Sequence, residues 1–159
     1  MRIGIGYDVH CLVFGRPLLL GGVRIDSDWG LEGHSDADAL LHAVSDALLG
    51  ALALGDLGQH FPDSDPNFRG INSAKLLDRV IHMVRERDYR LHNLDAVVIA
   101  QQPRLATHIP AIRRNLAHLL AAEFGCISVK PKTAEGLGAL GRGEGIAVHA
   151  VCLLISETR

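Results

Sequence analysis

Asp8, Val9 and His10 put a carboxylate and an imidazole two residues apart, and His42 adds a second imidazole further along. On an extended strand, Asp8 and His10 share a face about 7 Å apart. Leaning together, they could share one ion at roughly 2 Å from each ligand atom. Two imidazoles and a carboxylate in an open tetrahedron form a catalytic zinc pattern, with the fourth position left to substrate. The competing reading is a chance strand pair and a solvated helix face around His42. Asp38 and Asp46 lie one helical turn before and after His42, so the three share a face. Either aspartate could accept the second N–H of a metal-bound His42 ring. Around this stripe Ala39, Leu40, Leu41, Ala43, Val44, Ala47 and Leu48 are apolar, which is odd for a fully solvated helix.

Three further segments could carry chemistry. His34-Ser35-Asp36 precedes the His42 helix, where backbone N–H groups favour an anion; a simple N-cap is the alternative. Lys130-Pro131-Lys132-Thr133-Ala134-Glu135 offers two cations, a hydroxyl and a carboxylate. That set suits a phosphate with a hard cation such as Mg²⁺, or else it is an exposed strand end. Gly136 to Gly141 matches GxGxxG, but a strand follows it and not a helix, so a dinucleotide site is excluded. Arg142 and Glu144, set among glycines, either pair with each other or face an anion or a neighbouring subunit.

The elements that must position these residues follow from periodicity. In residues 2–10, Ile3, Ile5, Tyr7 and Val9 point one way and Gly4, Gly6, Asp8 and His10 the other. Leu18–Leu20 and Val23–Ile25 flank Gly21-Gly22, a strand with a turn or bulge. A loop is expected from Asp26 to Gly33, then a helix over 37–53 capped by Ser35 or Asp36. Gly55 to Gly70 reads as a long polar loop of the functional kind. Ser73 to Asp88 reads as a helix with the stripe Leu76, Leu77, Val80, Ile81 and Val84. A strand over Leu94–Ala100 follows, then a helix over Pro110–Phe124 stopped by Gly125. Ile127–Lys132 and Ile146–Ile155 are read as a terminal hairpin.

The predicted fold class is α+β: one domain over residues 1–159, with a mixed four-stranded sheet, a short N-terminal hairpin, and helices on one face. The last strand is apolar on both sides, so other subunits should cover the second face. Of the 159 residues, 48% are apolar and 21% charged, and the net charge of −2 gives no reason to expect nucleic acid or an anionic membrane as partner. The apolar runs are too short to span a bilayer, and Met1-Arg2-Ile3-Gly4 does not open like a signal peptide. Cys11, Cys126 and Cys152 lack CxxC spacing and read as reduced thiols of a cytoplasmic protein. A metal-reactive Cys11 is the alternative. His82 and His118 are expected at the surface, and His149 as a buried or interface residue.

Gly6-Tyr7-Asp8-Val9-His10, Gly21-Gly22-Val23, His34-Ser35-Asp36-Ala37-Asp38 with His42, Gly55-Asp56-Leu57-Gly58, Phe61-Pro62-Asp63 and Gly141-Arg142-Gly143-Glu144-Gly145 occur in order. Together they resemble the 2-C-methyl-D-erythritol 2,4-cyclodiphosphate synthase family. The resemblance implies a homotrimer with its sheets packed at the trimer axis and active sites between subunits. It implies conversion of a cytidine diphosphate-type substrate, 4-diphosphocytidyl-2-C-methyl-D-erythritol 2-phosphate, to the cyclodiphosphate and CMP in the non-mevalonate isoprenoid pathway. Zinc, one per subunit, would sit on Asp8, His10 and His42, and Glu135 would help hold Mg²⁺ or Mn²⁺ on the diphosphate. His34 and Thr133 match transition-state-stabilising positions.

The same resemblance assigns substrate contacts to Asp8, Val9, His10, His34 and Ser35, and to Asp56, Leu57 and Gly58 at the ribose and erythritol. A mobile loop would comprise Phe61, Pro62, Asp63, Ser64 and Asp65. Ala100, Gln101, Gln102, Pro103, Arg104, Leu105 and Ala106, with Lys132, Thr133, Ala134 and Glu135, match the cytidine and phosphate pocket. Ala139 and Arg142 lie near the substrate and a central cavity, where an isoprenoid diphosphate is a further candidate ligand. Arg104 stands where the family more often has Lys, Ala139 where a larger side chain is frequent, and His149 where an acid can occur. Two other readings stay open: a zinc-dependent phosphohydrolase, and a non-catalytic trimeric isoprenoid-binding module.

Overall fold

A computed structural model describes residues 1–157; the last two residues of the predicted domain lie outside the described residues. Strands β1 (Arg2–Phe14), β2 (Leu18–Leu20), β3 (Val23–Ile25) and β4 (Trp29–Leu31) come first. Helices α1 (Ala39–Ala51), α2 (Leu57–His60) and α3 (Ser73–Arg85) follow, then β5 (Tyr89–Ile99), α4 (Ile109–Leu119), β6 (Ile127–Lys132), α5 (Gly138–Gly141) and β7 (Gly145–Ser156). The mixed sheet runs β4-β1-β7-β5-β6, and β2 and β3 form the separate hairpin.

The α+β class holds, and the sheet carries a fifth short strand. Part of the expected Asp26–Gly33 loop is β4, which pairs with the end of β1 through Leu12 and Leu31. The expected terminal hairpin does not form. Instead β7 inserts antiparallel between β1 and β5, and β6 runs parallel to β5 at the edge. The side chains explain the order. On β7, Val148, Ala150, Cys152 and Leu154 are fully buried, as suits an inner strand. Pro131 on β6 lacks an N–H and belongs at an edge.

Helix α1 is buried almost all round; only His42, Asp46 and Gly50 among its thirteen residues are not. It starts two residues later than expected. Its cap is Asp38, whose carboxylate accepts from the Leu40 and Leu41 amides, and not Ser35 or Asp36. Helix α3 buries the predicted stripe but ends at Arg85, before the left-handed Asp88. Helix α4 ends at Leu119 with left-handed Ala121 beyond it; Gly125 sits in a later 3₁₀ turn, Phe124–Cys126, and does not stop the helix. The long polar loop holds α2 and a 3₁₀ turn at Pro66–Phe68.

Gly4 and Gly6 decide how closely α1 approaches β1. A Cβ on Gly4 would lie 1.9 Å from the Ala47 carbonyl oxygen, and one on Gly6 1.9 Å from that of Ala43. Backbone therefore packs on backbone, and His42 reaches the level of Asp8 and His10. The opposite face of β1 is bare, with Ile3 71%, Ile5 68%, Tyr7 51% and Val9 48% exposed. His149 is also exposed there, its ring 4.8 Å from that of Tyr7. Exposure excludes a buried His149 within the chain and leaves the interface reading.

Candidate metal centre and substrate pockets

Strand β1 and helix α1 bring three ligand atoms together. Asp8 Oδ2 lies 2.9 Å from His10 Nε2 and 3.0 Å from His42 Nδ1. The two nitrogens are 3.3 Å apart. An ion at about 2.0–2.1 Å from each of four tetrahedral ligands spaces them at about 3.3 Å, so the cluster needs little adjustment to hold one. It is the one group of three or more such side chains with metal-holding geometry among the described residues. The His10 ring is oriented from behind, its Nδ1–H donating to the Glu32 carbonyl at 2.6 Å. That leaves Nε2 for the ion.

The cluster opens into a cavity of about 440 Å³ lined also by His34, Ser35, Asp46, Asp56, Leu57, Gly58, Phe61 and Asp63. Its far wall includes Phe68 and Ile71, which nothing in the sequence pattern singles out. His34 Nε2 is buried with no hydrogen-bond partner. Asp56 caps α2 by accepting from the Gln59 amide at 2.9 Å. Phe61 meets Phe68 edge-on at 5.4 Å, and the Arg79 guanidinium lies 5.9 and 5.6 Å from the two rings. Pro62, Ser64 and Asp65 belong to the same loop outside this lining, and the Val9 side chain points to the bare face of the sheet.

A second cavity, of about 680 Å³, is lined by Ala100 to Ala106 with Pro131, Lys132 and Thr133. The Thr133 hydroxyl donates to Glu135, so a hydroxyl and a carboxylate sit side by side as oxygen ligands of the kind a hard cation takes. Ala139 lies in an adjoining groove with Lys132, Thr133 and Ala134. Arg142 shares a cleft with Gln101, Gln102 and Pro103, and its Nε donates to Glu144 at 2.6 Å, so the two pair within the chain. Both cavities lie at one end of the sheet, where His10 aligns with Ile146, Ala147 with Ile99, and Ile99 with Lys132. Three strand spacings separate β1 from β6, about 14 Å.

The profile of the YgbB family matches residues 1–155. The chain belongs to the YgbB family. This YgbB-family chain is 57% identical over 157 residues to a 2-C-methyl-D-erythritol 2,4-cyclodiphosphate synthase of Trichlorobacter lovleyi, covering 99% of this chain and 100% of that one. It is 59% identical to the synthase of the same name in Geobacter metallireducens, over 97% of this chain and 98% of that one. Among solved structures, the bifunctional IspDF of Campylobacter jejuni superposes with a TM-score of 0.94 at 44% identity over 99% of this chain; the chain spans 43% of that longer protein. A 2C-methyl-D-erythritol-2,4-cyclodiphosphate synthase in a CDP-bound form superposes with a TM-score of 0.90 at 40% identity, over 97% of this chain and 100% of that one.

Two expectations about this YgbB-family site are corrected. The Asp38 carboxylate is not the outer partner of His42. It is fully buried and accepts from four backbone amides, those of Gly21, Gly22, Leu40 and Leu41. Asp46 accepts from the Leu57 amide at 2.7 Å and instead ties α1 to the start of α2. His42 Nε2 meets Ser73 Oγ at 2.8 Å and Ser35 Oγ at 3.2 Å. Ser73 was invisible to pattern reading because it is 31 residues away. The start of α1 is likewise no open anion site, because Asp38 already occupies its first amides.

Electrostatics make the cluster sensitive to pH. Burial works to raise the Asp8 carboxyl, but hydrogen bonds and charge from His10 and His42 prevail and hold it at about 2. The hydrogen bond with Asp8 raises His10 above its ordinary 6.5, against opposing burial. In the metal-free protein the His10 shift is therefore stabilising below pH 6.5, and that contribution is lost as pH rises through the raised value. The Asp8 shift is stabilising above pH 3.8 and is lost as pH falls through about 2. A metal must displace the His10 proton, so its affinity should rise with pH and level off only above 6.5. Chelator competition between pH 6 and 9 measures this; a loss of up to about tenfold per unit on the acid side is expected, and a flat profile would contradict it.

Proposed function

We propose that this chain converts 4-diphosphocytidyl-2-C-methyl-D-erythritol 2-phosphate to 2-C-methyl-D-erythritol 2,4-cyclodiphosphate and CMP, acting as a phosphorus–oxygen lyase of the non-mevalonate isoprenoid pathway. One observation carries the reading: the Asp8–His10–His42 cluster opens into one cavity with His34 and Asp56, in a chain whose full-length relatives bear that product's name. Residues 1–159 work as a single domain, in the cytoplasm, where the three free thiols stay reduced.

In the reaction an oxygen of the 2-phosphate attacks the β-phosphorus. The bond from that phosphorus to the bridging oxygen breaks, and CMP leaves with the bond's electrons. The attacking phosphate is already nucleophilic, so the protein's task is alignment and charge stabilisation. When bound, zinc on Asp8, His10 and His42 and a magnesium or manganese ion beside Glu135 supply Lewis-acid polarisation and charge neutralisation. His34, on the lining of the first cavity, would donate to a phosphoryl oxygen. Thr133 and Lys132 flank the cavity that takes the cytidine and its phosphate, with Ala134 and Glu135 at its rim. Asp56, Leu57 and Gly58 hold the polyol, and the Phe61–Asp65 loop excludes water that would otherwise hydrolyse the same bond.

Strands β1 and β6 stand three strand spacings apart, about 14 Å, and the cavity lined by His34 shares no residue with the one lined by Thr133. The site is completed by a neighbouring copy, in a homotrimer that covers the bare face of Ile3, Ile5, Tyr7 and Val9. Ala139 and Arg142 face the subunit boundary, and an isoprenoid diphosphate is the extra ligand of a cavity at the trimer axis. Among the described residues no helix is long and apolar enough to cross a membrane. The test is incubation with substrate and Mg²⁺, with the products resolved by phosphorus NMR. One cyclic diphosphate per CMP is expected. A linear phosphate would assign a hydrolase, and no CMP would remove the catalytic reading altogether.

A further inference from the structure

The metal-facing nitrogen of His42 is selected from the other side of the ring, by a path through a different helix. Ser73 is the first residue of α3 and fully buried. Its hydroxyl donates to Asp36 Oδ1, and its amide donates to Asp36 Oδ2 at 3.0 Å. Asp36 is held in turn, its own amide donating to the Ile71 carbonyl at 3.1 Å. A hydroxyl has one proton to give, and a carboxylate can only accept. With its proton on Asp36, Ser73 Oγ can only accept from His42 Nε2, 2.8 Å away. A His42 ring with its proton on Nε2 satisfies that acceptor, and its lone pair is then on Nδ1, the atom 3.0 Å from Asp8 Oδ2 and 3.3 Å from His10 Nε2, where an ion would sit. Without an ion Asp8 Oδ2, also an acceptor only, favours the opposite tautomer, so Ser73 and Asp8 pull the His42 proton in opposite directions.

We propose that Asp36 and Ser73 are positioning residues for the metal: an Asp–Ser–His relay that fixes the tautomer of His42 and pins the start of α3 to the site. The proposal rests on the metal reading of Asp8, His10 and His42. It adds two residues that neither contact an ion nor line the cavity beside it. It also gives the segment from His34 to Asp36 a second task. Gly70 donates to the His34 carbonyl at 2.8 Å, so the same stitching that orients His42 holds His34 at the cavity wall.

The test is zinc affinity of purified protein by chelator competition, with wild type, Ser73→Ala and Asp36→Asn compared at one pH. Outer partners of a ligating histidine typically account for about 10–100-fold in affinity, and both variants should weaken zinc by that much. Asp36→Asn is the sharper probe. Its amide can donate to Ser73 Oγ, which frees the hydroxyl proton to turn toward His42 and favours the wrong tautomer. Nitrogen-15 NMR of the metal-free protein at alkaline pH reads this directly: the share of His42 protonated at Nε2 should be lower in Asp36→Asn than in wild type. Wild-type zinc affinity in folded Asp36→Asn, or the same His42 tautomer ratio in wild type and Asp36→Asn, would overturn the relay. The NMR result decides even if Ser73→Ala fails to fold. A wild-type protein that binds no zinc would instead overturn the metal reading, so the two failures are distinguishable.

Discussion

His42→Ala protein is expected to purify folded, to hold no stoichiometric zinc, and to release CMP at least about 10³-fold more slowly than wild type. His42 is one of the three side chains that would hold the ion, and its Nδ1 lies 3.0 Å from Asp8 Oδ2. Removing it leaves one imidazole and one carboxylate, too few to hold the ion against water. The Lewis-acid contribution to stabilising a transferring phosphoryl group is several kcal/mol, and each 1.36 kcal/mol is about tenfold in rate. Folding should survive, because the side chain lies on the polar stripe of α1 while Leu40, Leu41, Val44 and Leu48 carry the core. Metal analysis and CMP release on the same preparation check the expectation. Full activity without zinc would remove the cluster from the mechanism.

The second large effect has no polar chemistry in it. Gly6→Ala should lower stability by about 3 kcal/mol, at the upper end of typical overpacking costs. The melting temperature of a chain this size should then fall by roughly 6–12 °C. The new methyl would sit 1.9 Å from the Ala43 carbonyl oxygen and 2.8 Å from the Ala47 nitrogen, both backbone atoms that cannot rotate away. Helix α1 must then move off β1. His42 rides on that helix and Asp8 on that strand, so zinc affinity should fall together with stability. Gly125→Ala is the comparison, because nothing lies within 4 Å of the added Cβ, and it should leave both unchanged. Calorimetry with chelator competition settles the matter; unchanged melting and zinc affinity in Gly6→Ala would refute the close-approach account.

Alternation in residues 2–10 placed Asp8 and His10 on the face shared with Gly4 and Gly6, and the bare face of Ile3, Ile5, Tyr7 and Val9 bears this out. Ligand type and spacing were enough to pick Asp8, His10 and His42, because strand and helix periods are local properties of the backbone. The stripe of α3 was legible for the same reason. Helix ends were less so. Alternative caps compete within two or three residues, and Asp38 wins because it satisfies amides at Gly21 and Gly22 as well as its own helix.

By itself, then, the sequence determined the α+β class and put forward the metal-type triad, while the segments that line the two cavities were implied by the family resemblance. Tertiary structure alone decided that β7 lies between β1 and β5, that β4 joins the sheet, and that Ser73 with Asp36 stands behind His42. The physical reason is separation along the chain. Strand order and the hydrogen bonds behind His42 join residues at least 15 positions apart, through contacts that no local period encodes and that need backbone packed on backbone at Gly4 and Gly6.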